Sequence, residues 1–208
     1  MTPVTNTDKS RRARKKAAVR ARIVTAGIEL FSRYGIADVT VDQIAEAADI
    51  GKGTIYNYFQ TKEDIVVAFM IDLERRVQAR LSRFTASEAS LHSILTAFIR
   101  FQFRLKAHHH EFVRVFLGQM FLHTGQFVPY MAEMQKVIDP PLETLFGDLQ
   151  RRGAIRTDMS LPELILVFKT IQLGLTALWA IEGPPFRTAK RTLKQEMTLF
   201  CEGLKTAK

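Results

Sequence analysis

Apolar residues recur at helical spacing from about residue 12 to the end of the chain, and no alternating run flanked by hairpin turns predicts a strand. The predicted helices are short and basic before residue 64 and long and apolar after it. One later stretch, LILVFKTIQLGLTALWAI at residues 164–181, is apolar nearly all round, which favours a helix buried on several sides over a membrane span. The pattern predicts an all-α fold of about nine to ten helices.

Capping residues indicate where several of these helices begin. In the run TVDQ, the Thr40 oxygen can accept from the amide of Gln43, whose side chain can reach back to the Thr40 amide. The run SLPE at residues 160–163 repeats this capping box before the long apolar helix. Asp139, followed by two prolines, predicts that one helix ends and another begins there.

Positive charge is concentrated near the N-terminus. The chain holds 30 Lys and Arg against 21 Asp and Glu, a formal net charge of +9, and residues 9–22 contain eight basic residues and no acidic one. Such a block attracts nucleic acid or an anionic membrane surface, although a solvated tail is the commoner meaning. The single cysteine, Cys201, excludes an intrachain disulfide and a cysteine-based zinc cluster, and it fits a cytoplasmic protein.

Residues 51–59, GKGTIYNYF, follow a short turn after an alanine-rich helix and carry side chains suited to DNA. The two glycines let backbone amides approach a phosphate, the lysine adds a positive charge, and Ile55 and Phe59 can anchor the helix to its neighbour. A nucleotide-binding P-loop is excluded, because no strand precedes the run and no Ser or Thr follows the lysine. The run therefore predicts a helix-turn-helix whose second helix enters the DNA major groove.

The run TVDQIAEAADIGKGTIYNYFQTKED at residues 40–64 closely resembles the DNA-binding signature of TetR-type transcriptional regulators, and IVTAGIELFSRYG at residues 23–35 resembles their first helix. Gly51 departs from the pattern, which often has serine at that position. The resemblance covers residues 15–68 and implies an N-terminal three-helix DNA-binding domain followed by a larger helical domain for effector binding and dimerisation. We expect a flexible basic arm at residues 1–14, the helix-turn-helix domain at 15–64 and the larger domain at 65–208.

The resemblance also implies which residues contact double-stranded DNA. Thr40 and Lys62 would contact phosphate from helix N-termini, and Tyr56 would contact phosphate as well. The residues implied at the bases or their flanking backbone are Lys52, Gly53, Thr54, Asn57 and Tyr58. A two-fold symmetric homodimer would match a palindromic operator with half-sites about one helical turn apart.

The larger module is rich in phenylalanine, with seven of the 15 between residues 98 and 127. The resemblance implies a small effector there, and these residues favour a largely apolar one. The candidate pocket residues are Phe103, Arg104, Phe116, Met120, His123, Phe168, Gln172 and Trp179. A stripe at helical spacing near the C-terminus is formed by Leu193, Met197, Phe200 and Leu204. The resemblance implies that it joins the helix capped by Ser160 in a four-helix dimer interface, and the core of a monomer is the alternative.

The three consecutive histidines at residues 108–110 do not predict a metal site, because adjacent helical side chains point about 100° apart. Neither a metal nor another cofactor is expected. A sensing role for these histidines, or for Cys201 through an intersubunit disulfide, is left open by the sequence.

These patterns predict a homodimeric, sequence-specific DNA-binding transcriptional regulator, with release of a repressor by a small effector as the leading hypothesis. An activator or dual regulator of the same family is the alternative. An enzyme in the phenylalanine-rich domain is disfavoured, because no nucleophile with a local base, no carboxylate pair and no cofactor motif is found. A peripheral membrane protein that uses residues 9–22 also ranks below regulation. The expected location is the cytoplasm, with the nucleoid when the protein is bound to DNA.

Overall fold

The computed structural model describes residues 6–81, 90–122 and 124–205, and this part of the chain is helical without a strand. The all-α fold class is therefore confirmed. The chain divides into two compact units, Met1–Phe69 and Met70–Lys208. The functions expected of the two domains stay predictions.

The first unit contains α1 (Asn6–Tyr34), α2 (Val41–Ala47), α3 (Lys52–Ile55) and the first part of α4 (Lys62–Gln78). The second unit contains the rest of α4, α5 (Leu91–Lys106), a 3-10 turn (Ala107–His109), α6 (His110–Leu122), α7 (Thr124–Arg151), α8 (Leu161–Glu182) and α9 (Arg187–Gly203). Helix α4 therefore runs across the division between the two units.

The core of the first unit lies where α1 packs on α2 and α4. Phe31, Ile44 and Ile65 are at most 3% exposed. Gly27 permits this packing, because a Cβ added there would lie 2.9 Å from Ile65 Cγ2. The apolar faces predicted from helical spacing are thus the faces that the first unit buries.

The arm at residues 1–14 was predicted to be flexible, but α1 begins at Asn6. The prediction is therefore wrong for residues 6–14, which are helical. Five of these nine residues are strong helix formers: Lys9, Arg11, Arg12, Ala13 and Arg14. Residues 10–18 are exposed. The basic residues at positions 11–16 are therefore presented to solvent on a helix.

Both predicted capping boxes are confirmed. Gln43 Oε1 accepts from the Thr40 amide at 2.8 Å, and the Gln43 amide donates to Thr40 Oγ1 at 3.3 Å. Before α8, the Glu163 carboxylate accepts from both the amide and the hydroxyl of Ser160 at 2.7 Å. These bonds lower the pKa of Glu163 and fix where α8 begins.

Helix α7 differs from the prediction, because it joins the two helices expected on either side of Asp139. That carboxylate does not cap a helix but accepts from Lys169 Nζ of α8 at 2.7 Å. Phe146 is fully buried, and its ring lies edge-on to Phe168 with centroids 5.8 Å apart. Packing against α8 therefore overrides the local break that the prolines favour. The prolines inside α7 are Pro129, Pro140 and Pro141.

Helix α8 is long and apolar enough to span a membrane by length and composition, and 33% of its most apolar 18-residue stretch is buried. Phe168, Leu175 and Trp179 form its buried side and are at most 1% exposed. Leu166 and Ile181 are 63% and 78% exposed. The second unit therefore covers only one side of its most apolar helix.

The predicted dimer stripe is corrected by the structure, because it lies in the core of the second unit. Met197 is fully buried, and the Phe200 and Phe168 ring centroids are 5.7 Å apart. The four residues are at most 7% exposed: Leu193, Met197, Phe200 and Leu204. This face of α9 is covered by its own chain and is not available to a partner.

We expect Met197→Ala to lower the free energy of unfolding by about 2–5 kcal/mol, because it removes a fully buried side chain and leaves a cavity. Gln195→Ala, on the exposed side of the same helix, should change it by less than about 0.5 kcal/mol. Urea unfolding of both variants measures the difference. Similar values for the two would contradict a core position for the stripe.

Candidate functional site

Helices α2 and α3 form a helix-turn-helix whose turn is fixed by backbone hydrogen bonds. Asp49 adopts a left-handed conformation with φ of 51°, and its amide donates to Glu46 O at 3.0 Å. The Ile50 amide donates to Ala45 O at 3.0 Å. Ile55, which is 1% exposed, anchors α3 inside the first unit. The short turn predicted just before residues 51–59 is present.

Helix α3, at Lys52–Ile55, is shorter than the run of residues 51–59 that predicts it. After Ile55 the amides of Asn57 and Tyr58 donate to the third residue before them, Thr54 and Ile55, at 3.1 and 2.9 Å. These bonds tighten the last turn, and Phe59 is buried at 4% exposure. Ile55 and Phe59, the two residues predicted to anchor this segment to its neighbour, are therefore both buried.

Several predicted base-side residues face solvent in the first unit. Lys52, Gly53 and Asn57 are exposed, and Tyr56 is 45% exposed. A Cβ added to Gly53 would meet nothing within 4 Å, so the backbone there is open to a close approach. Thr54 and Tyr58 are half-buried. This placement allows DNA contact, and the individual roles stay predictions.

Lys52 is paired with a carboxylate that the sequence analysis did not single out. Its Nζ donates to Asp42 Oδ2 at 2.6 Å, and this hydrogen bond is the main cause that raises the pKa of Lys52. Both side chains are more than half exposed, so the pair is weak and screened by salt. Lys52 can therefore exchange the carboxylate for a DNA phosphate at little cost.

Lys62 is placed differently from the prediction, which assigned it a phosphate contact. Its Nζ donates to the backbone oxygens of Ile36, Ala37 and Val39 at 2.5, 2.9 and 3.2 Å. An ammonium group has three hydrogens, and all three are used within the chain. Lys62 therefore positions the segment between α1 and α2, and its assignment as a phosphate ligand is corrected.

Asp64 is a positioning residue that the prediction missed. Its Oδ2 accepts from the amides of Gln60 and Thr61, both at 3.0 Å, and its own amide donates to Thr61 Oγ1 at 3.2 Å. This reciprocal pattern caps α4 and fixes the turn that follows the helix-turn-helix. The signal was present as the spacing TKED at residues 61–64.

Six of the eight predicted pocket residues lie in two separate cavities of the second unit. The methionine cavity has a volume of about 160 Å³ and includes the predicted Phe116, Met120 and Gln172. The basic cavity has a volume of about 720 Å³ and includes the predicted Phe103, Arg104 and Trp179. Phe168 lines neither cavity and belongs to the core, and His123 lies outside the described residues.

The methionine cavity is defined by side chains of α4 to α8. Its lining is Met70, Glu74, Lys106, Val113, Phe116, Leu117, Met120, Met131, Met134, Ile138, Lys169, Gln172, Leu173 and Thr176. Glu74 and Lys106 form an ion pair at 2.9 Å, with side chains only 5% and 7% exposed. Methionines make the walls adaptable, whereas this buried pair makes one wall strongly polar.

Gln102 and Gln172 extend the buried ion pair into a hydrogen-bond network, in which one polar atom of each glutamine has no partner among the described residues. Lys106 Nζ also donates to Gln102 Oε1 at 3.2 Å, and Gln172 Nε2 donates to the same oxygen at 3.0 Å. Within the described residues, Gln102 Nε2 and Gln172 Oε1 are buried without a hydrogen-bond partner. A ligand in the methionine cavity that carries a donor group could satisfy Gln172 Oε1, because Gln172 lies in the lining of that cavity.

The structure gives little support to a sensing role for Cys201 or for the histidines at residues 108–110. Burial raises the pKa of the Cys201 thiol to about 11, so the thiol is protonated and unreactive near neutral pH. The His109 ring stacks on Phe112, whereas His110 Nε2 lies 3.0 Å from Glu111 Oε1. Among the described residues, no group of three or more His, Cys, Asp or Glu side chains is placed to hold a metal ion.

Comparison with known sequences places this site in a family of regulators. A family model described as bacterial regulatory proteins, tetR family, matches residues 23–69. The uncharacterized HTH-type transcriptional regulator TtgW of Pseudomonas putida is 30% identical over 91 residues, which cover 42% of this chain and 68% of that protein. The HTH-type transcriptional repressor DhaR of Mycobacterium sp. (strain GP1) is 25% identical over 206 residues, which cover 91% and 93%.

A solved structure extends the similarity over both units. FadR of Thermus thermophilus, a TetR-family transcriptional repressor crystallised with lauroyl-CoA, matches with a TM-score of 0.76 at 21% identity. The match covers 91% of this chain and 96% of that one. At this identity the likeness shows the fold. The two relatives and FadR are described as transcription regulators, which speaks against catalysis as the main role.

We expect Lys62→Met to lower the free energy of unfolding by about 2 kcal/mol, because three backbone carbonyls lose a charged donor. The methionine keeps most of the apolar stem. Lys52→Met is the matched control, since it removes only an exposed pair and should leave stability nearly unchanged. Urea unfolding checks both, and equal losses would contradict the positioning role of Lys62.

Proposed function

Because the chain belongs to the TetR family of bacterial regulatory proteins, which are DNA-binding transcription regulators, we propose that it is a homodimeric repressor released from a palindromic operator by a small effector. It would act in the cytoplasm, bound to the nucleoid while DNA is engaged. The observation that carries the proposal is the helix-turn-helix of α2 and α3 with Lys52, Gly53 and Asn57 exposed beside it.

The interface with DNA would combine phosphate contacts with base contacts. Tyr56 is 45% exposed and offers a hydroxyl to a phosphate, whereas Asn57 offers an amide that can read a base edge. Lys52 would exchange Asp42 for a phosphate. Thr40 Oγ1 accepts from the Gln43 amide, and its hydroxyl can donate to Gln43 Oε1 at 3.1 Å, so Thr40 would contribute mainly by fixing the start of α2.

The effector would bind in the methionine cavity, because this cavity is lined by α4. Met70 and Glu74 lie on its wall, and the same helix begins with Lys62 and Asp64, which fix the loops of the helix-turn-helix. A ligand that favours one position of Glu74 would bias the position of α4. Coupling of this kind is worth about 1–3 kcal/mol. FadR, which was crystallised with lauroyl-CoA, supports a small-molecule effector for this fold.

The homodimer would form through the exposed side of α8, in place of the stripe on α9. Leu166 is 63% and Ile181 78% exposed, and Leu166, Leu173 and Ile181 recur at a spacing that places them on one face of the helix. Leu199, on the exposed side of α9, is 73% exposed. Apolar side chains left uncovered on a helix of this kind are typical of a subunit interface.

We expect Gly53→Ala to lower operator affinity at least about tenfold, because its methyl group would separate the helix backbone from DNA. The same change should not reduce stability, since a Cβ there meets nothing within 4 Å and alanine favours a helix by about 0.5–1 kcal/mol. A footprint on the DNA around its own gene, at several salt concentrations, measures the affinity.

Gly118→Ala in α6 is the matched control, because an added Cβ there also meets nothing within 4 Å. It should bind DNA like the original chain. If the original chain protects no DNA, or protects it without a steep salt dependence, the proposed function is wrong. If Gly53→Ala binds as well as Gly118→Ala, DNA does not approach the backbone at Gly53.

We expect Leu166→Asp to weaken the homodimer at least about tenfold, because the charge would have to be buried in an apolar contact. Val128→Asp on α7 is a close control, since Val128 is also 63% exposed but lies outside α8 and α9. Analytical ultracentrifugation of the two variants reports the mass. A dimer that persists in Leu166→Asp, or one that Val128→Asp also disrupts, argues against the proposed face.

A further inference from the structure

The basic cavity is a second built site, separate from the proposed effector cavity. It lies among α5, α8 and α9, and its lining is His92, Thr96, Arg100, Phe103, Arg104, Ala107, Trp179, Phe186, Lys190, Leu193 and Lys194. None of these residues lines the methionine cavity. Its volume of about 720 Å³ falls in the range of pockets that enclose small organic ligands.

Three stacked rings form the floor of this cavity. The Trp179 ring lies 4.5 Å from Phe186 and 5.5 Å from Phe103 between centroids, with interplanar angles of 11° and 15°. Trp179 is 1% exposed, and the two phenylalanines are 8% and 9% exposed. The floor is therefore apolar, built of rings stacked face to face and held in place by packing.

The loop before α9 fixes the outermost ring of this floor. Phe186 adopts a left-handed conformation with φ of 55°, which a bulky residue adopts only where the surroundings hold it. The Glu182 carboxylate accepts from the amides of Thr188 and Ala189 at 2.8 and 2.9 Å and so caps α9. Glu182 thereby supplies the cap that Phe186 cannot, and the Phe186 ring is free to stack on Trp179.

The rim of the cavity is cationic. Arg100 and Arg104 lie four residues apart on α5, and Lys190 and Lys194 lie four apart on α9, so each pair faces one way. Among the described residues, the lining contains no acidic one. In the part of the chain that the structure describes, no carboxylate lies within ion-pair distance of any of the four.

Besides the four cations, a buried hydroxyl group lines the cavity. Thr96 Oγ1 is buried without a hydrogen-bond partner among the described residues, one turn before Arg100 on the same helix. Lys190 Nζ has only a backbone acceptor, Pro185 O, at 3.0 Å. Like charges gathered around one cavity repel each other, and a bound anion would remove that cost.

We propose that the basic cavity binds a small organic anion with a planar aromatic body. The anionic head lies among Arg100, Arg104 and Lys194, and the body lies against the floor formed by Phe103, Trp179 and Phe186. A carboxylate head suits the rim, because arginine donates two parallel hydrogen bonds to it. An uncharged aromatic compound would cover the floor and leave the cations unpaired.

The test compares 2-naphthoate with its neutral amide, 2-naphthamide, on the full chain without DNA. Isothermal titration calorimetry gives the affinities, and we expect naphthamide to bind at least about fivefold more weakly. Binding should also shift the indole N–H resonance of Trp179, which is unambiguous because the chain holds a single tryptophan. High salt should weaken naphthoate binding and leave naphthamide binding unchanged.

Arg104→Met is the decisive variant, because it keeps an apolar stem and removes the charge. It should weaken naphthoate about fivefold and leave naphthamide unchanged. Arg152→Met, at an exposed arginine outside both cavities, is the matched control and should bind naphthoate like the original chain. Both positions are exposed, so neither change should disturb folding.

Equal affinities for the acid and the amide would overturn the proposal. So would a loss in Arg104→Met no greater than in Arg152→Met, or naphthoate binding that does not move the Trp179 indole resonance. None of these measurements requires DNA or the methionine cavity. Failure here would therefore leave the proposed function untouched, and failure to bind DNA would leave this site untouched.

Discussion

The helix-turn-helix of this protein depends on one ammonium group. Lys62 Nζ holds the carbonyls of Ile36, Ala37 and Val39, which belong to the segment between α1 and α2. That segment delivers Thr40 to the start of α2, and the capping box there sets where the helix begins. A lysine at this place couples the first residues of α4 to the first residues of α2 through three charge-assisted hydrogen bonds. The surface that would meet DNA is thereby tied to the helix that continues into the second unit.

The sequence correctly predicts those features of the fold that depend on interactions between residues close together in the chain. The capping boxes at Thr40 and Ser160 involve residues three apart, and both are present with the expected reciprocal bonds. Ile55 and Phe59 are predicted as anchors from their spacing, and both are buried. The fold class follows from the same periodicity. In each case the pattern spans about one turn of helix, so the sequence alone contains what decides it.

Predictions fail where the deciding partner lies far along the chain. Lys62 has the position of a phosphate ligand by resemblance, but its acceptors are 23 to 26 residues away. Asp139 has the pattern of an N-cap, yet Lys169, 30 residues later, takes its carboxylate. Helical periodicity reveals the direction that a side chain faces and not what covers it. Trp179 and Gln172 therefore line separate cavities although they lie seven residues apart on α8, because the packing of the other helices decides which cavity each one reaches.

The basic residues of the chain form two separate groups. A net charge of +9 with a basic block at residues 9–22 points to a polyanion such as DNA. Four of the basic residues, however, surround a cavity in the second unit whose described lining includes no carboxylate: Arg100, Arg104, Lys190 and Lys194. These four cations repel one another, and no ion pair offsets the repulsion in the free chain, because none of them contacts a described carboxylate. The two proposed ligands therefore account for both groups of cations, a large polyanion for the block at residues 9–22 and a small organic anion for the four residues around the basic cavity.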